Sequence, residues 1–194
     1  MRRQVRSSQA SYEVVYDRLE NPAHAHLSQE VRDALPRLRD LVRHDPRSAV
    51  TELRAWVERE PLPIFYNWLT GAYSALGDVE SVKAVVLENY RRNPRYLFAR
   101  ANYAELCLRD GDLAAAREAL GSFDIRPLLG GRKRVHVSEV TGYFYAVGLY
   151  HIKAGDRDAA ENVYQMLARV APDEIATEEL RRKLRPRLRD LFSR

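Results

Sequence analysis

Three Gly-Asp pairs, Gly77-Asp78, Gly111-Asp112 and Gly155-Asp156, each separate two segments in which apolar residues recur at helical spacing. The first two pairs lie 34 residues apart and the last two 44. This step constrains the chain closely. Gly adopts the left-handed conformation that ends one helix, and Asp accepts hydrogen bonds from the unsatisfied N–H groups that open the next. Recurrence at this period predicts tandem antiparallel helix pairs, each burying its apolar face against its neighbours.

Each unit carries a further pattern. Around the first pair stand Tyr66, Leu69, Thr70 and Tyr73, then Val82 and Val86, then Pro94. Around the third stand Phe144, Val147, Gly148 and His151, then Ala160 and Tyr164, then Pro172. The middle unit is less regular, with Arg100, Tyr103, Ala104 and Cys107 followed by Ala116 and Leu120. Small residues allow close helix crossing, bulky ones fill the space between pairs, and each Pro stops the second helix for want of an N–H. The pattern resembles the tetratricopeptide repeat (TPR) family over residues 63–172. The resemblance implies an all-α, right-handed solenoid of three helix pairs that binds other proteins through its concave groove.

The flanks extend the array. Residues 28–62 hold two helical stripes, Val31 to Val42 and Ala49 to Val57, split at His44-Asp45-Pro46. They predict a degenerate leading pair. Tyr12, Val15, Tyr16 and Leu19 predict a short amphipathic helix within an N-terminal arm, residues 1–27. At the other end, residues 173–194 predict a capping helix with Leu180, Leu184, Leu188, Leu191 and Phe192 underneath and Pro186 kinking it. The ten extra residues between the second and third units fall within 124–137. Gly130-Gly131 and the triplet Arg132-Lys133-Arg134 predict an exposed basic loop there.

Composition narrows the function classes. Hydrophobic residues make up 45% and charged residues 30%, enough for a packed core. One cysteine, Cys107, excludes an internal disulfide framework and predicts a buried, inert thiol. The charged opening Met1-Arg2-Arg3 has no apolar run behind it, and no segment approaches a membrane span of ~18 residues. A reducing cytoplasm is therefore the expected setting. His24 and His26 have no third ligand beside them, and His136 and His151 are isolated, with His151 standing where the repeat carries Tyr. No phosphate-cradling loop and no nucleophile–base spacing is visible, so neither enzyme chemistry, a cofactor nor a metal is expected.

The resemblance locates the groove on the first helix of each pair. It implies partner contacts at Ile64, Asn67 and Trp68, at Phe98, Asn102 and Glu105, and at Tyr145, Leu149 and Ile152. TPR domains that clamp acidic C-terminal tails carry Lys, Asn and basic residues where this chain has Asn67, Gly71, Asn102, Gly142 and Ala146; only Asn102 fits. The apolar character of the face instead suggests an apolar helix or peptide, with self-burial or a homodimer as alternative covers. A rival reading is nucleic-acid or anionic-surface binding through Arg132, Lys133 and Arg134 together with Arg181, Arg182, Lys183 and Arg185. The net charge of +5 is weak support for it, because the basic tail is interleaved with Glu178, Glu179 and Asp190.

Overall fold

The computed structural model describes residues 12–16 and 26–185. Within them the chain is mostly helical: α1 (Gln29–His44), α2 (Pro46–Arg59), α3 (Pro63–Ala75), α4 (Val79–Arg92), α5 (Leu97–Asp110), α6 (Leu113–Leu120), α7 (Val137–Ala154), α8 (Arg157–Val170) and α9 (Ile175–Leu184). Each helix packs on the next in the chain, and α1–α3, α3–α5, α5–α7 and α7–α9 also touch.

The three Gly-Asp turns are built as their residues dictate. Gly77, Gly111 and Gly155 have φ of 72°, 84° and 79°. The N–H of each following Asp reaches the carbonyl five residues back: Asp78 to Tyr73, Asp112 to Cys107 and Asp156 to His151. Each Asp side chain then accepts from a backbone N–H three residues on, in Ser81, Ala115 and Ala159. One dipeptide thus closes one helix and opens another. Asp45 repeats the cap at α2 with Pro46 behind it, where the missing N–H has no consequence. Helices α1, α2 and α9 lie where the apolar stripes place helices, while Pro186, Leu188, Leu191 and Phe192 fall outside the described residues.

Small residues set the closest crossings. Ala101 and Ala104 of α5 and Ala116 and Ala119 of α6 are buried in one cluster. A Cβ on Gly148 of α7 would stand 2.7 Å from Leu180 of α9. Tyr103 packs against both the cluster around α1–α4 and the one around α5–α8, stacking on Tyr90 at 4.2 Å between ring centroids.

Two sequence expectations are corrected. The stretch 13–15 is a strand, β1 (Glu13–Val15), rather than part of an N-terminal helix. It pairs in parallel with β2 (Arg134–His136), in register Glu13 to Arg134. Tertiary pairing overrides the helical reading of Tyr12, Val15 and Tyr16; Leu19 lies outside the described residues. The insertion is an exposed loop only in part, at Arg126, Pro127, Gly130, Gly131 and Lys133. Ile125 and Leu129 are buried with Val14 and Val135, a 3-10 turn spans Arg126–Leu128, and Tyr16 Oη donates to the Val170 carbonyl at 2.7 Å.

Candidate functional site

The first helices of the three units bring all nine groove residues to two adjoining hollows. Asn102, Glu105, Tyr145, Leu149 and Ile152 line a cleft of about 770 Å³ between α3–α5, α7 and α9. Ile64, Asn67, Trp68 and Phe98 line a second of about 470 Å³, roofed by Leu35 and Pro36 of α1. The hollows meet where Asn102 Nδ2 donates to Asn67 Oδ1 at 3.0 Å.

The apolar character of this surface is smaller than the sequence suggests. Ile64 is buried, and Trp68, Phe98, Tyr145, Leu149 and Ile152 are half-buried. The large exposed hydrophobics among the described residues are Leu76, Val79, Leu113 and Ile175, none of them in the groove. Cover comes from the chain's own flanks. Trp68 packs against the cluster that holds α1 and α2, and Tyr145 donates its hydroxyl to Glu179 of α9 at 2.9 Å.

Electrostatics distinguish the larger cleft. Among the described residues its lining carries Arg109, Lys153, Arg182, Lys183 and Arg185 against a single carboxylate, Glu105. Burial pushes the Glu105 carboxyl up to about 7; Arg109 opposes this, Glu179 adds to it and Lys183 opposes it. Burial likewise raises the Tyr145 hydroxyl, reinforced by its bond to Glu179. In the smaller hollow Arg32, Arg39 and Arg43 of α1 stand beside Trp68, Tyr96 and Phe98.

Comparison with family models, with curated proteins and with solved structures finds no match to this chain. The geometry therefore stands alone. The residues assigned to a basic surface divide. Arg132 is committed to the buried Glu139 at 2.8 Å, Arg134 lies 3.9 Å from Glu13, and Lys133 is exposed. At α9, Arg181 pairs with Glu178, whereas Arg182, itself paired with Glu179, lines the larger cleft with Lys183 and Arg185. The two basic sets share neither hollow.

His151 is the packing residue expected, edge-on to Phe123 at 4.8 Å, and burial lowers its pKa. Cys107 is buried, and burial raises its thiol pKa. His24 lies outside the described residues, and His26 is exposed. Among the described residues no group of three or more His, Cys, Asp or Glu is placed to hold a metal, and no helix is long and apolar enough to cross a membrane.

Arg109, Lys153 and the arginines of α1 were not singled out by the repeat pattern. A signal was present. Arg109 follows Glu105 by four residues and Lys153 follows Leu149 by four, so both continue the groove face by one turn.

Proposed function

We propose that the chain is a non-catalytic scaffold, a right-handed superhelix of TPR-like pairs, that binds an apolar helix or peptide of a partner protein along α3, α5 and α7. The observation that carries this reading is the convergence of the nine groove residues on two hollows joined through Asn67 and Asn102. Succession of contacts between alternate helices supports the superhelix, and α1 and α9 serve as its ends. Trp68, Phe98 and Tyr145 supply the large, rigid contact area that dominates peptide recognition. The commitment of Arg132 to Glu139 speaks against the rival basic surface.

The test is affinity purification with mass spectrometry, comparing wild type with a Trp68→Ala/Tyr145→Ala variant whose helical circular dichroism is retained. The expected outcome is a set of proteins held by the wild type and lost from the variant, each aromatic contributing about 2 kcal/mol. An unchanged set would refute the groove. A wild type that sediments as a dimer and a variant that sediments as a monomer would make a twin subunit the occupant.

A further inference from the structure

Charge sorts the candidates for the larger cleft. Arg109, Lys153, Lys183 and Arg185 line it, and none makes an ion pair within 4 Å among the described residues. Arg182 shares its charge with Glu179 at 3.3 Å. Between these cations Tyr145, Leu149 and Ile152 form a half-buried apolar strip, interrupted by Asn102 and Glu105. Four cations beside an apolar strip, against one carboxylate, are complementary to a ligand with carboxylates on one face and hydrocarbon on the other.

The same charge argues against covers supplied by the chain itself. Residues 1–11 carry Arg2, Arg3 and Arg6 with no acidic residue, residues 186–194 carry Arg187, Arg189 and Arg194 against Asp190, and residues 17–25 bring only Asp17 and Glu20 against Arg18. A second copy brings a further net charge of +5. Nucleic acid is also a poor fit. Sequence-blind strand binding uses stacking aromatics along a basic track, and among the described residues Tyr145 is the one aromatic lining this cleft, its hydroxyl held by Glu179.

We propose that the larger cleft takes an acidic amphipathic segment of a partner protein, its apolar side chains on the Tyr145–Leu149–Ile152 strip and its carboxylates on Arg109, Lys153, Lys183 and Arg185. This rests on the groove reading above and names the chemistry of its partner. The recognised charge is that of internal side chains, so a free C-terminal carboxylate is not required.

The experiment is selection of random peptides of about 16 residues, displayed on phage, against the full chain, about the length needed to present both faces of a helix. The enriched sequence is then synthesised with an amidated C-terminus, beside a counterpart in which Glu and Asp become Gln and Asn. Enrichment of acidic, apolar-periodic sequences is expected, with the neutral counterpart and the Arg109→Glu/Lys183→Glu variant each weakening binding about tenfold. Both substituted residues are exposed, so the variant should stay folded, which its circular dichroism checks; Arg109→Gln/Lys183→Gln, which sets no like charge beside Glu105, should weaken binding in the same direction.

If neutral and acidic peptides bind equally, the charge assignment falls and the groove reading survives. If no sequence is enriched, both fall. Binding that ignores the Arg109→Glu/Lys183→Glu change would move the acidic ligand elsewhere and overturn the proposal. An oligonucleotide of about 20 nucleotides that outcompetes the peptide at about 0.15 M salt would overturn it in favour of nucleic acid.

Discussion

Gly148 offers the sharpest test of how α9 is seated. An added Cβ there would lie 2.7 Å from Leu180 Cδ2 and 2.8 Å from Cδ1, well inside the ~3.5–4.0 Å of a comfortable carbon contact. Leu180 is fully buried with Ala160, Leu167 and Leu184, so it cannot yield without disturbing α8 and α9. In Gly148→Ala, helix propensity favours the variant by about 1 kcal/mol while overpacking opposes it by about 1–3 kcal/mol. The net expectation is a loss of about 1 kcal/mol. Leu180→Ala alone should cost about 3 kcal/mol through the lost side chain and the space it leaves. In the double variant the clash is gone, the propensity gain remains and the new methyl enters the vacated volume. The double should therefore be more stable than Leu180→Ala by about 1 kcal/mol, a coupling of about 2 kcal/mol across the cycle. Urea denaturation of the four proteins, followed by circular dichroism and tryptophan fluorescence together, measures it. If Gly148→Ala stabilised both backgrounds equally, α9 would not rest on α7 at this point.

Other expectations follow from single contacts. Gly111→Val should lose about 2 kcal/mol through backbone strain alone, since φ is 84° and nothing lies within 4 Å of the new Cβ; an unmoved melting temperature would refute the turn. The folded state holds the Glu105 proton up to about 7, above the unfolded value, so Glu105 stabilises relatively at low pH and its contribution is lost as pH rises from about 5 through 7. Glu105→Gln should flatten that loss and gain about 1–2 kcal/mol at pH 8 relative to pH 5, and parallel urea curves at the two pH values would refute it. Arg132→Met leaves the buried Glu139 carboxylate without its cation and should cost about 3 kcal/mol, with much of it recovered on adding Glu139→Gln; additive losses would break the assigned pair.

Local signals carried far in this chain, and distant ones did not. The Gly-Asp turns, the break at His44-Asp45-Pro46 and the apolar stripes of α1–α9 are set by neighbouring residues, and they were legible at the level of single caps. The nine residues that the resemblance assigned to a groove come together in two hollows because a helical face repeats every three to four residues. The strand at Glu13–Val15 was not, because its partner lies about 120 residues away and five residues show too little periodicity to separate helix from strand. In the insertion, Gly130-Gly131 and the basic triplet drew attention from Ile125 and Leu129, which dock in the core, and from the β-branched Val135 at the centre of β2. Burial of the groove aromatics was equally hidden, since it depends on where α1 and α9 come to rest.

The β1–β2 pair and the Tyr16–Val170 bond give the chain a mechanical property that a simple stack of units lacks. In a linear array a tug on one end is borne first by the terminal unit and passed along one neighbour at a time. Here a load applied ahead of residue 12 enters at β1 and passes directly to β2, α7 and the end of α8. The units α1–α6 are shielded until those few hydrogen bonds give way. Under tension from its N-terminus the molecule should yield first at this clasp, releasing slack before any helix pair opens, so its order of rupture does not follow its order of sequence.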